Sequence, residues 1–248
     1  MKAILPMTTF TRLIFPALLL MCLTAQAHAG TFSVSPIRIF MTPSDKAVAV
    51  TITNDGEDEV VMQADIYEWS QKPDGEDDMT LTDDMLLSPP IIKIAGKSRQ
   101  VVRLARLLPV KSSDQLTYRM IVREIPEAKP TKDKMQIQLA LAFSMPVFIT
   151  PPAAKRSLNC TVERTAANAV IAACENSGNA YAQLLDFELS SESGEPIASR
   201  SQGAYILPKM KRHFDIKSTN RSIPSGKAKL TVKLDDGSTQ TFDADLGE

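Results

Sequence analysis

Two histidines, His28 and His213, and three cysteines, Cys22, Cys160 and Cys174, are all the imidazole and thiol that the 248 residues offer. That is too little for a His-rich metal centre or a zinc ribbon. A serine triad would rest on His213 alone, because His28 falls in a segment that reads as a cleaved leader, and no Gly-x-Ser-x-Gly elbow is present. Phosphate-cradling glycine loops, a dinucleotide fingerprint and a His-Glu-x-x-His motif are also missing from the sequence. The acid pairs Asp77-Asp78 and Asp83-Asp84 lie in polar stretches, where ordinary ionised carboxylates are expected. The methionines from Met41 to Met210 are scattered in the manner of core packing. The sequence predicts no catalytic residue, no cofactor and no metal.

Two stretches have residue patterns suited to binding. Gln136 to Met145 alternates without interruption, with Ile137, Leu139, Leu141, Phe143 and Met145 on one face and Gln, Gln, Ala, Ala and Ser on the other. Such a strand is either an ordinary core strand or an edge strand whose apolar row is offered to another protein. In the second case main-chain hydrogen bonds supply affinity and alternate side chains supply specificity. In Phe32 to Phe40, alternation puts Arg38 on one face with Phe32, Val34, Pro36 and Phe40. A cation on an apolar face calls for an acidic partner within the domain or for a ligand anion. An arginine facing a cleft could grip a carboxylate in a bidentate fork.

These stretches need a frame to hold them. Lys2 and Arg12, the apolar run Leu13 to Leu23, and Ala27-His28-Ala29 before Gly30 read as a secretory signal over residues 1–29. No later apolar run is long enough to span a bilayer, so no stable membrane insertion is expected. Lys plus Arg number 28 against 29 for Asp plus Glu, a balance without the basic excess of a nucleic-acid binder. Cleavage would leave Cys160 and Cys174, an even pair that reads as a disulfide in an exported chain.

Period-2 patterning recurs throughout, whereas 3.6-residue amphipathic stretches do not. Strands are expected at 31–40, 47–54, 60–69, 91–94, 99–104, 116–125 and 136–149, with turn clusters between them and the acidic stretch Asp74 to Asp84 as a solvated loop. After Thr150-Pro151-Pro152-Ala153-Ala154, a stiff hinge, further strands are expected at 157–164, 169–174, 181–189, 204–207, 227–234 and 239–244. The last two flank the hairpin signal Asp235-Asp236-Gly237-Ser238. The expected fold is all-β, with two immunoglobulin-like β-sandwich domains at 30–150 and 153–248 and no internal repeat.

The ordered set Val34-Ser35-Pro36-Ile37-Arg38, Val50-Thr51-Ile52-Thr53-Asn54-Asp55, Ser88-Pro89-Pro90, Gly96-Lys97-Ser98, Tyr118, Arg123-Glu124-Ile125-Pro126, the alternating strand and Pro151-Pro152-Ala153-Ala154 resembles the PapD-like periplasmic chaperones of pilus assembly. The resemblance runs through the whole mature chain. It implies a boomerang of two sandwiches whose cleft holds a pilus subunit, with the periplasm as location and an outer-membrane usher as the receiving partner. It also implies donor-strand complementation, in which Ile137, Leu139 and Leu141 fill a groove in the subunit and Phe143 and Met145 extend the row. Arg38 would anchor the subunit's C-terminal carboxylate.

The family's second basic residue, a lysine late in the donor strand, aligns with Pro146. Arg119 on the preceding strand is the candidate replacement, a pattern that resembles the divergent archaic branch. An exposed apolar edge of this kind is open to self-capping by a second copy when the protein is free. The alternative from another class is a structural pilus subunit or two-domain surface adhesin.

Overall fold

The computed structural model describes residues 32–109, 112–126, 140–218 and 222–247. Every regular element among them is a strand. The first ten are β1 (Phe32–Ser35), β2 (Ile39–Met41), β3 (Ala47–Asn54), β4 (Val60–Gln71), β5 (Asp77–Leu81), β6 (Met85–Ser88), β7 (Ile91–Ile94), β8 (Ser98–Arg106), β9 (Leu116–Glu124) and β10 (Ala142–Ile149). They form two sheets. One has the order β1-β3-β8-β6, and the other has the order β2-β10-β9-β4-β5, with β7 also paired to β4. The inner residues of both sheets, among them Val50, Ile52, Val102 and Leu104 facing Met62, Ile66, Met120 and Val122, close one apolar core.

The second half contains β11 (Leu158–Ala166), β12 (Ala169–Asn176), β13 (Ala182–Ser191), β14 (Pro196–Arg200), β15 (Tyr205–Ile206), β16 (Lys211–Lys217), β17 (Lys227–Leu234) and β18 (Thr239–Asp245). The layers β11-β12-β16 and β14-β13-β17-β18 are joined by a single pairing, Ser199 with Lys217. They enclose a separate core that includes Phe187, Phe214, Leu230 and Val232. Cys160 and Cys174 lie directly opposite each other on β11 and β12 and form a disulfide with an S–S distance of 2.03 Å. The bridge joins two strands of one layer and lies in the second core.

Several expected elements take a different form. The stretch 31–40 is two strands on two sheets: β1 pairs with β3, whereas β2 runs parallel to β10. Pro36 has no N–H to continue the β1 ladder, and the chain crosses to the other sheet there. The alternation therefore changes phase. Val34, Ile39 and Met41 enter the core, while Arg38 and Phe40 turn to the outer face rather than sharing a face with Val34. The acidic stretch is solvated as expected, but Asp77 to Leu81 forms a strand, exposed along its whole length, because β4 runs to Gln71 and the following turn folds the chain back against its edge. Short β6, β14 and β16 had no sequence expectation.

A structural equivalence also links the two halves. Asn54 ends β3 and Asn176 ends β12, and both are fully buried. Asn54 Nδ2 donates to the carbonyls of Asp58, Ile94 and Ala95, and Asn176 Nδ2 donates to those of Ala180, Ile206 and Leu207. Each Oδ1 accepts from the glycine two residues on, Gly56 at 2.9 Å and Gly178 at 3.1 Å. One amide thus ties a strand end to the adjoining turn and to one distant segment in each sandwich. Asn176→Ala leaves buried carbonyls without a donor and is expected to cost roughly 3 kcal/mol, read as a lower urea midpoint at unchanged slope. A loss under about 1 kcal/mol would show that water replaces the amide.

Candidate functional site

The alternating strand meets its neighbours in a way that leaves part of one edge open. Glu124 N donates to Leu141 O at 2.8 Å. This phase makes the odd-numbered residues of β10 bond to β9, while the N–H and C=O groups of Ala142 and Ser144 point away from it. On that outer side β2 pairs only with Val147 to Ile149. Among the described residues no strand covers Ala142 to Pro146. Pro146 sits where its missing N–H would face this open edge, which is where a sheet tolerates proline.

Directly across from Pro146 on β9 is Arg119, followed in register by Tyr67 on β4 and Leu81 on β5. On the other side, Arg38 immediately precedes Ile39, the residue paired with Val147. Arg38 and Arg119 therefore flank Pro146 at the end of the open edge, on the outer face of the sheet.

Their surroundings differ. Arg38 Nη1 donates to Asp235 Oδ2 at 2.7 Å, and a third of its side chain remains exposed, at 33%. Asp235 comes from the β17–β18 turn and is held in turn by the Tyr181 hydroxyl at 3.0 Å and by Arg156 at 3.8 Å. Burial pulls the Arg38 guanidinium down, but the neighbouring Tyr205, Tyr181 and Asp235 more than offset this and raise it overall. Arg119 has no carboxylate partner within ion-pair distance among the described residues. Its Cζ stacks 3.8 Å from the Trp69 ring centroid and lies 5.5 Å from that of Tyr205. Burial lowers its pKa, only partly countered by Asp77 and Tyr205. A stacked guanidinium of this kind contributes about 0.5–2 kcal/mol, yet all five of its N–H donors stay available in the plane.

The bed beneath the arginines joins the two cores. Trp69 and Phe148 lie on the outer face of the first domain's sheet but are buried, because Leu207, Tyr181, Tyr205 and Met210 of the second half cover them. Phe148 stacks on Tyr181 at 4.1 Å, and Trp69 meets Tyr205 edge-on at 5.3 Å. Two buried glutamines pin the contact. Gln71 donates to Tyr205 O at 3.0 Å and accepts from Leu207 N at 2.9 Å. Gln115 N donates to Asn179 O at 2.9 Å, and its side chain accepts from Tyr181 N at 2.8 Å.

Of the residues singled out in the sequence, Arg38 and Arg119 are brought to one row. Leu141 is 42% exposed just beyond the sandwich, and Phe143 is half-buried against the core. Met145 is a correction to the expected row. It faces inward and is buried among the core residues of its own domain, so it has no surface to offer a partner. Ile137 and Leu139 lie outside the described residues. Asp235, Tyr181, Tyr205 and Trp69 escaped the sequence reading: Asp235 read only as part of a hairpin turn, and a lone Trp or Tyr carries no spacing signal.

A two-sandwich all-β protein with an edge strand left partly unpaired among the described residues, and two arginines at its end, is what the fold and site define. The family described as pili and flagellar-assembly chaperone, PapD N-terminal domain, matches residues 31–155, just over half of the chain. The chain belongs to this family of pilus-assembly chaperones. No curated protein matches it in sequence. Among solved structures it is similar to the chaperone in the CsuC–CsuE chaperone–tip adhesion subunit pre-assembly complex from archaic chaperone-usher Csu pili of Acinetobacter baumannii. That match has 21% identity and a TM-score of 0.64, covering 88% of this chain and 100% of that one. It is also similar to the E. coli chaperone DraB, with 21% identity and a TM-score of 0.55 over 88% and 97% of the two chains. The Salmonella enterica SafA pilin–SafB chaperone complex gives 14% identity and a TM-score of 0.57 over 89% and 98%. These likenesses establish the fold.

Burial, then Asp235, pushes the Tyr181 hydroxyl up to about 12, against about 10 in an unfolded chain. Between those values the folded protein keeps a proton that the unfolded chain has lost, so stability falls as pH rises through this window. Tyr118 is also pushed up to about 12, by burial and then Asp84, so Tyr181→Phe should flatten only part of the decline. Urea midpoints at pH 9, 10 and 11 measure it, and an unchanged slope in the variant would contradict the assignment.

Proposed function

We propose that this chain is a periplasmic chaperone of the chaperone–usher pathway. Exported through residues 1–29, it binds pilus subunits by donor-strand complementation and delivers them to an outer-membrane usher. The observation that carries the reading is the open edge of β10 ending at two arginines. A subunit strand added alongside β10 finds the N–H and C=O groups of Ala142 and Ser144 directed towards it. It then finds Arg38 and Arg119 where its C-terminal carboxylate arrives. Leu141 is the described member of the inserted row, to which the sequence alternation assigns Ile137 and Leu139 as well. Each aliphatic side chain buried this way contributes about 2 kcal/mol, and each charge-assisted hydrogen bond about 1.5–3 kcal/mol, before association costs.

Arg119 takes the part that a lysine at Pro146 would play, since the side chains of a non-hydrogen-bonded antiparallel pair are close neighbours. This substitution supports placing the chain with the archaic chaperones. The binding step requires no nucleotide or metal in this account, and no catalytic role is assigned to any residue.

Native mass spectrometry of the tagged protein purified from its own periplasm tests the reading. The wild type is expected to carry one small exported β protein per chain, Arg38→Ala to lose it, and Arg119→Ala to reduce its yield at least tenfold. Full capture by Arg119→Ala would remove the shared anchor, and a bare wild-type monomer from piliated cells would favour a structural pilus protein instead.

A further inference from the structure

The second domain supplies more to the cleft than support. Two of its tyrosines, Tyr181 and Tyr205, stand in the aromatic bed under the arginines, but their hydroxyls are used differently. Tyr181 donates to Asp235 at 3.0 Å. The Tyr205 hydroxyl has no hydrogen-bond partner among the described residues. Its ring is nonetheless fixed: it packs against Trp69 at 5.3 Å, Tyr181 at 5.5 Å and Phe148 at 5.9 Å. Its backbone is held by pairing with Gln183 and by the bond from Gln71 to its carbonyl at 3.0 Å. The Arg119 guanidinium carbon lies 5.5 Å from its ring centroid. Burial, with Asp235 adding to it, raises the pKa of its hydroxyl overall, against the opposing pull of the Arg38 and Arg119 charges. A rigid, neutral O–H beside two cations is a preorganised donor for an anion.

From this arrangement we infer that Tyr205 is the third donor of the carboxylate clamp, so that both domains hold the subunit's C-terminus. This rests on the anchor reading above. A tyrosine at this place also sets selectivity. With both arginines charged, any anion is attracted, but the fixed hydroxyl rewards a planar carboxylate that reaches the domain junction.

The probe is an acetylated peptide, Lys-Thr-Val-Thr-Val-Thr-Phe, made with a free C-terminal carboxylate and as the C-terminal amide. Trp69, the single tryptophan of the chain, reports binding by its fluorescence. The wild type is expected to prefer the acid over the amide. Tyr205→Phe should cut that preference about tenfold, the factor for one lost hydrogen bond to a charged group, while leaving the Trp69 spectrum of the free protein unchanged. A Tyr205→Phe preference within twofold of wild type, with Arg38→Ala still abolishing it, would overturn the third donor alone. A wild type that binds acid and amide equally would overturn the anchor and the clamp together.

Discussion

Phe148 is the residue on which the two halves of this protein turn. It lies on the outer face of its sheet, where a sandwich normally meets water, yet it is fully buried because Tyr181 stacks on it and Tyr205 and Trp69 close around it. A buried aromatic of this size is worth about 2–3 kcal/mol in removed surface. Here that energy fixes where the second domain sits on the first. The row next along the same face is the row of Arg38, Pro146 and Arg119. Docking the domains therefore places Tyr181 and Tyr205 of the second half beside both arginines.

The arginines are kept ready by opposite means. Arg38 is held by a carboxylate from the other domain, itself fixed by Tyr181 and Arg156. Arg119 is held by stacking, which orients a guanidinium without consuming its donors. A cation left half-buried without a carboxylate is a cost in the free protein. In the proposed anchor role, an incoming carboxylate would relieve that cost. The edge strand follows the same logic. Its core-facing residues Met145 and Val147 tie it to its own sandwich, while Leu141 is largely exposed at the end of the described core.

Much of this was legible in the sequence. The alternation of 136–145 pointed to a strand that is described from Ala142 onwards as β10, and the family motifs pointed to the pair of sandwiches. The even pair of cysteines left beyond the expected signal segment pointed to the disulfide. Arg119 could be singled out because Pro146 left a gap in a known pattern, and β9–β10 register then set the two opposite each other.

The remainder depended on contacts between residues distant in the chain. The phase change at Pro36 is invisible to a period-2 reading, which assumes that a strand stays in one sheet. Met145 alternates perfectly with Leu141, but only the three-dimensional end of the core decides that one is covered and the other is not. Strand β5 has no apolar face because it pairs along an edge in solvent, so pattern alone reads it as loop. Asn54 and Asn176 do the same work in sequences that share little beyond Asn-x-Gly, too short a signal to mark a repeat. Asp235 and Tyr205 act across the domain junction, which no local pattern encodes.

The most direct test of the account is NMR-detected hydrogen exchange at the Ala142 and Ser144 amides, with and without the partner that copurifies with the chain. Addition of a strand to the open edge of β10 predicts that both amides, free to exchange in the isolated protein, become strongly protected on binding, while those of the odd-numbered residues already bonded to β9 change little. Unchanged exchange at Ala142 and Ser144, with new protection on another edge such as β5 or β6, would contradict it.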